Sequence, residues 1–159
     1  MSKIRVTIWN EFLHEKEDED VKKMHPNGIH ETLKKGLEAD DLEIRTAWLD
    51  QDEYQGLSDE VLNNTDVLLW WGHMGHDLVK DETVTRVCNR VYEGMGFIPL
   101  HSAHASKLFS RLLGTSTQLN WREIGEHCRI WCVDASHPIA QGVPLNFVLA
   151  FLAESVTLS

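Results

Sequence analysis

The sequence predicts an α/β fold, a doubly wound and mostly parallel sheet of the flavodoxin-like type. Short runs of β-branched, aliphatic and aromatic residues alternate along the chain with segments of helical periodicity. The run at 67–71 is apolar throughout, as expected of a strand that helices cover on both faces. At 159 residues the chain has the usual length of one domain.

The elements alternate strand and helix along the chain. Ser58 begins a short helix, Asp81 caps a longer one that Gly94 ends, and Gly114 ends another. Since crossovers between parallel strands are short and right-handed, this alternation favours one doubly wound sheet. The predicted strands are residues 4–9, 42–49, 66–71, 97–101 and 128–134, and the main helices are 29–37, 81–93 and 105–113.

Composition argues against several classes of partner. The chain has 15 Lys and Arg against 25 Asp and Glu, a formal charge of −10 that repels nucleic acid and anionic membrane surfaces. The acidic run at 15–20 is interpreted as a solvated loop or helix face without a function. The three cysteines lack CxxC spacing and no signal peptide is recognised, which favours the cytoplasm. The longest apolar piece, 143–152, is too short to span a membrane.

Histidines concentrate where the predicted strands end. Five of the nine follow three strands: His14, His73, His76, His101 and His104. Since ligands bind beyond the carboxyl ends of parallel strands, we expect these side chains to line one site. His73, His76, His101 and His104 repeat H-x-x-H spacing and are candidate ligands for a divalent metal, zinc or manganese. The alternative is a polar pocket for a hydroxyl-rich ligand, and no nucleotide cofactor is predicted.

Ser102 stands on a strand–turn–helix junction, the position of a nucleophile in an elbow. Its neighbours are histidines instead of the small residues of G-x-S-x-G, so the motif match is poor. The other interpretation is that Ser102 donates a hydrogen bond at a helix N-terminus. The candidate catalytic residues are His73, His101, Ser102 and Glu11.

The six tryptophans divide into two groups. Those inside strands are expected in the core, whereas Trp71 and Trp121 are placed to stack on a sugar ring. The three cysteines are expected to be structural. The candidate substrate-binding residues are Asn10, Trp71, Lys107, Trp121 and Arg122.

Several segments together resemble the trehalose-utilisation (ThuA-like) family over about residues 4–142. They are Trp9-Asn10-Glu11-Phe12-x-His14-Glu15, the stretch from Leu68 to Asp77, Leu100-His101-Ser102-x-His104-x-Ser106-Lys107, Leu113-Gly114-Thr115-Ser116, Trp121-Arg122-Glu123 and His137-Pro138-Ile139-Ala140-x-Gly142. The resemblance implies a fold similar to class I glutamine amidotransferases, with Ser102 where their nucleophilic cysteine stands. It also implies a role in catabolism of trehalose and related disaccharides, commonly beside an oxidoreductase that makes 3-keto-sugars.

The resemblance breaks after Gly142. We therefore predict an incomplete ThuA-like domain at 1–142 and an atypical apolar tail at 143–159, which covers a core face or promotes homo-oligomers. The preferred prediction is a protein acting on a small-molecule carbohydrate, a sugar or 3-keto-sugar, through imidazole acid–base groups or a metal. A non-catalytic sugar-binding or regulatory module and a hydrolase using Ser102 are the alternatives.

Overall fold

The computed structural model describes residues 2–117 and 127–150. The chain divides into two compact units, Met1–Leu119 and Asn120–Ser159, which are described separately. In the described ranges, no helix is both long enough and apolar enough to cross a membrane.

The first unit contains a four-stranded parallel sheet in the order β2-β1-β3-β4. This confirms the predicted α/β class and the parallel sheet. Asn10 pairs in register with Trp48 on one side and with Trp71 on the other, and Trp71 pairs with Leu100. The carboxyl ends of the four strands therefore lie side by side, and we call this end the carboxyl edge of the sheet. They are β1 Ile4–Asn10, β2 Leu42–Trp48, β3 Val67–Trp71 and β4 Gly96–Leu100.

The described residues form six α-helices, and several helix ends follow local sequence signals. The Ser58 side chain accepts a hydrogen bond from the Val61 amide at 3.3 Å, as predicted, and Gly114 is left-handed with φ 68°. Asp81 is the first residue of its helix; Lys80 occupies the N-cap, so the predicted Asp81 cap is wrong. The helices are α1 His14–Glu17, α2 Glu19–Met24, α3 Ile29–Gly36, α4 Asp59–Asn63, α5 Asp81–Tyr92 and α6 Lys107–Leu113; 3₁₀ turns cover His76–Leu78, His101–Ala105 and Pro138–Ala140.

The sheet buries apolar side chains on both faces, because successive strand residues point to opposite sides. Trp9 and Trp70, partners in the register of β1 and β3, stack on one face with ring centroids 3.7 Å apart. Both rings are fully buried, as predicted, with helix α5 packed in the same core cluster. Ile8 and Leu69 belong to a smaller cluster on the other face.

An ion pair lies at the opposite end of the sheet, where the strands begin. Arg5 at the start of β1 donates to Asp66, just before β3, through its guanidinium at 2.6 and 3.0 Å and its amide at 2.8 Å. The Arg5 side-chain hydrogen bonds, with the Arg5 amide, lower the pKa of Asp66 to about 2. These hydrogen bonds tie the start of β1 to the segment that leads into β3.

The second unit contains a two-stranded antiparallel sheet of β5 His127–Trp131 and β6 Asn146–Ala150. The prediction that 128–134 is a fifth strand of the alternating pattern is wrong, because this strand pairs with β6 instead. Trp131 is 61% exposed, so its predicted core position is wrong as well. Strand β6 lies inside the segment predicted as a tail, and a domain boundary at residue 142 stays a prediction.

Candidate functional site

The candidate site lies at the carboxyl edge of the parallel sheet. Glu11 follows β1, the Gly72–Asp77 turn follows β3, and the His101–Ala105 turn follows β4. Because β3 pairs directly with β1 and with β4, these three segments leave the sheet side by side. We call the imidazoles on and beside these segments the histidine cluster: His14, His73, His76, His101 and His104.

The carboxylate of Glu11 anchors the Gly72–Asp77 turn. Its two oxygens accept hydrogen bonds from the amides of Met74 at 2.7 Å and Gly75 at 2.8 Å, and its own amide donates to the Trp71 carbonyl. The side chain is 1% exposed. Charge-assisted bonds of this kind are the stronger ones, so Glu11 fixes the backbone that presents His73 and His76. The geometry supports a positioning role for Glu11, and its predicted catalytic role stays a prediction.

The imidazoles of the cluster approach one another from three loops. The ring of His14, at the start of α1, stacks on the ring of His73 with centroids 5.0 Å apart. His104 lies beside the carbonyl of His101, with its Nδ1 3.3 Å from that oxygen. His73 and His101 are exposed, while His76 and His104 are half-buried. The cluster is thus accessible to a ligand at His73 and His101.

His76 differs electrostatically from an exposed histidine. Burial lowers its pKa, and the neighbouring His104 and His73 act in the same direction when protonated, against the opposing effects of Glu11 and Asp77. A buried imidazole resists protonation because its cation loses hydration. His76 is therefore held in the neutral form, which has one donor and one acceptor nitrogen.

The predicted metal set is not assembled in the described part of the chain. No three His, Cys, Asp or Glu side chains there lie close enough to hold one ion. The described residues therefore do not fit zinc or manganese, whose sites usually need three or more protein ligands. The metal stays a prediction that elemental analysis of the protein can test, and no reaction step below depends on it.

The turn after β4 bears on the predicted nucleophile. Ser102 is half-buried, with its Oγ 3.3 Å from Nδ1 of His101. The left-handed backbone, φ 34°, belongs to His101 and not to Ser102. Since the nucleophile itself occupies the strained position in an elbow, this geometry favours the interpretation of Ser102 as a polar residue of the turn.

The predicted substrate-binding residues fall into three groups. Asn10 is fully buried and its amide bonds Glu15 and His30, while Lys107 donates to the Asp77 and Val79 carbonyls and to Asp81. Both therefore brace the loops of the site. Trp71 is half-buried, and Trp121 and Arg122 lie outside the described residues.

The structure also shows a buried polar network that sequence reasoning missed. Glu15, interpreted as part of a solvated run, is 3% exposed and accepts hydrogen bonds from Asn10 at 2.7 Å and from the Ile29 amide at 2.8 Å. Nδ1 of His30, also 3% exposed, lies 2.9 Å from the same Asn10 amide nitrogen. The only sequence signal was the position of Glu15 five residues after the end of a strand.

Comparisons with known proteins agree with the predicted family and fold. Residues 5–151 match the model of the ThuA family, described as trehalose utilisation. A solved ThuA-like protein from Bacteroides uniformis is similar in structure with a TM-score of 0.62 at 16% identity. The similarity covers 94% of this chain and 59% of that protein, so the chain spans less than two thirds of its length. No curated protein sequence matches the chain.

Proposed function

This chain belongs to the trehalose utilisation family, and from that premise we propose that it acts on a sugar or 3-keto-sugar at the histidine cluster. The proposed ligand is a small-molecule carbohydrate and the proposed compartment is the cytoplasm. The imidazoles are the acid–base groups, and the surrounding buried residues hold them in position.

One observation carries the proposal: the exposed imidazole of His73 lies near the neutral, half-buried imidazole of His76, on a turn that Glu11 holds by two hydrogen bonds. Exposed His73 and His101 can reach a ligand from solvent. Acid–base chemistry on a carbon next to a carbonyl needs such a pairing, a base for the proton and a donor for the oxygen.

The proposed step is proton abstraction beside the ketone of a 3-keto-sugar. His73 or His101 takes the proton from the neighbouring carbon, and the C–H electron pair forms a C=C bond as the carbonyl electrons move to oxygen. The His76 imidazole donates a hydrogen bond to that oxygen as its charge develops. Return of a proton to carbon gives an isomer; expulsion of the oxygen substituent one carbon further on, with a proton, gives elimination.

Deuterium exchange tests this step directly. The substrate is a 3-keto-disaccharide in D₂O, and the measurement is the ¹H NMR signal of the C–H group beside the ketone. This signal is expected to decay faster with wild-type protein than without it. His73→Gln or His101→Gln should slow the exchange, by about 10²–10⁴-fold for the variant that removes the base. His127→Gln, an exposed histidine of the second unit, is the matched control and should keep the wild-type rate.

Two results would contradict the proposal. Binding of the keto-sugar without exchange would indicate a sugar-binding or regulatory module. Equal exchange rates in wild type, His73→Gln, His101→Gln and their double variant would exclude these imidazoles as the base. A serine-directed covalent probe that labels Ser102 would support the hydrolase alternative instead.

A further inference from the structure

The indole of Trp70 carries a buried donor without a partner in the described part of the chain. Its Nε1 is inaccessible to solvent and makes no hydrogen bond, and the residue is 1% exposed. The ring is stacked on Trp9, whose own Nε1 donates to the Gln55 carbonyl at 2.9 Å. A buried N–H is normally paired, so an unpaired one needs an explanation. The indole N–H of Trp71 is also buried and unpaired among the described residues, but Trp70 is the indole that lies beside Gly72 and His76.

Gly72 shows which group lies next to that donor. Its backbone is not among the left-handed glycines, so no torsional requirement accounts for the missing side chain. A Cβ at Gly72 would lie 3.2 Å from Nδ1 of His76 and 3.4 Å from Nε1 of Trp70. The edge of the imidazole and the indole nitrogen therefore flank one point, which only glycine leaves free.

We propose that Trp70 is a positioning residue of the site, whose indole N–H donates to Nδ1 of His76 and so keeps the imidazole proton on Nε2. The two nitrogens are not hydrogen-bonded to each other in this structure. The stack on Trp9 holds the indole, so forming the bond requires movement of the half-buried imidazole. An indole nitrogen can only donate, so the nitrogen it bonds must be the unprotonated one.

The tautomer decides what His76 can do. With Nδ1 occupied, Nε2–H is the group left for a ligand, and it can donate to an oxygen but cannot take a proton. A neutral imidazole used in this way polarises a carbonyl. His76 is thus the donor that polarises the carbonyl, and another imidazole is the base. Only this role of His76 towards a ligand rests on the proposed function.

Nitrogen-15 NMR of histidine-labelled protein reads the tautomer without any substrate. Comparison with His76→Gln assigns the two ring nitrogens of His76 in wild type. At about pH 8, above the ordinary histidine pKa, Nδ1 is expected to appear unprotonated and Nε2 protonated. A wild-type His76 with its proton on Nδ1 would overturn the inference.

Two variants act on the proposed bond from opposite sides. Trp70→Phe removes the donor and keeps an aromatic side chain in the stack, while Gly72→Ala places a methyl group within 3.4 Å of both nitrogens. Both should shift His76 towards a mixture of tautomers. Trp9→Phe, which disturbs the same stack but leaves the Trp70 N–H, is the matched control and should keep the wild-type tautomer. An unchanged tautomer in both test variants, or the same shift in the control, would exclude Trp70 as the cause.

Kinetics give a separate readout. In Trp70→Phe, kcat for exchange is expected to fall roughly 10-fold or more with little change in KM, the usual scale for loss of a partner that orients a functional histidine. If wild type exchanges no keto-sugar proton, the proposed function fails while the tautomer measurement still decides the role of Trp70.

Discussion

His30, in the first turn of α3, and His76, in the turn after β3, are a buried and a half-buried imidazole that differ in how completely they are hydrogen-bonded. Burial lowers the pKa of both imidazoles. His30 is 3% exposed, its Nδ1 is paired with the Asn10 amide, and its ring lies edge-on to Phe12 and stacked on Trp48. Among the described residues His76 has no such partner, and its ring rests on Gly72.

The difference teaches that a lowered pKa does not identify a functional histidine. Both rings are desolvated, so both resist protonation for the same reason. What separates them is the state of the ring nitrogens. Nδ1 of His30 is bonded to Asn10, whereas no described residue is hydrogen-bonded to the imidazole of His76 in this structure, and its Nε2 is the nitrogen left for a ligand in the proposal above. Available polar groups at a sheet's carboxyl edge are what a ligand-binding site requires.

The largest expected effect comes from removing the carboxylate that holds the His76 turn. Glu11→Gln replaces one acceptor oxygen with an NH₂ group facing a backbone amide, so two strong hydrogen bonds become one at a buried site. The free energy of unfolding should fall by on the order of 3 kcal/mol, measured by urea titration. Glu17→Gln, on the exposed side of α1, is the control and should change stability little. Equal stability of both variants would show that Glu11 does not anchor the turn.

The next effect contrasts the packing around two glycines, Gly28 beside His30 and Gly72 beside His76. Gly28 has φ 91°, and a Cβ there would lie 2.3 Å from Cε1 of His30, so Gly28→Ala combines backbone strain with a clash. We expect it to cost about 2 kcal/mol of stability. Gly72→Ala, which meets only the imidazole and indole edges, should cost less than about 1 kcal/mol. The comparison fails if thermal and urea unfolding rank the two variants in the opposite order.

Lys107 tests whether a residue expected to bind substrate instead braces the loop. Its Nζ donates to the Val79 carbonyl at 2.8 Å and to Asp81 at 3.0 Å. Lys107→Met should lower stability by about 1 kcal/mol and leave sugar affinity nearly unchanged. Lys35→Met, an exposed lysine of α3, serves as the control in calorimetry. A large loss of affinity at wild-type stability would restore the substrate-binding role.

The smallest expected effect is the pH dependence contributed by His30. Because burial lowers its pKa in the folded protein, the unfolded chain binds the proton first as pH falls below about 6.5. Stability should therefore decline from about pH 6.5 towards the lowered pKa, and His30→Gln should flatten this part of the profile. Urea unfolding across the acid range measures the slope, with His127→Gln as control. A slope unchanged in His30→Gln would show that His30 is not buried as a neutral ring.

The sequence predicted the parallel sheet because strand and helix periodicities are local properties of the chain. The apolar run 67–71 and the Ser58 cap are examples, and both are confirmed within one residue. The pairing of 128–134 was predicted wrongly, since a strand's partner depends on a segment nearly twenty residues away. Local patterns specify that a strand forms but not which edge it meets.

For the candidate site, the sequence placed the histidines at the ends of strands, and the strand register brings them to one edge. It did not distinguish residues that hold loops from residues that face a ligand. Glu11, Asn10 and Lys107 have the chemistry of sugar-binding groups, yet their polar atoms are occupied by the protein's own backbone and side chains.

The sequence by itself determined the fold class and the edge at which the histidines gather, because both follow from residue types and their spacing, and it indicated the family through a resemblance in several motifs. Only the tertiary structure decided which polar atoms remain available. The Trp70 indole, the His76 imidazole and Gly72 meet through close packing at the end of β3, and no spacing rule reports the distance between side chains. Burial and hydrogen bonding are properties of the assembled fold, so they separate Glu11 and His30 from His73 and His76 only once the strands are paired.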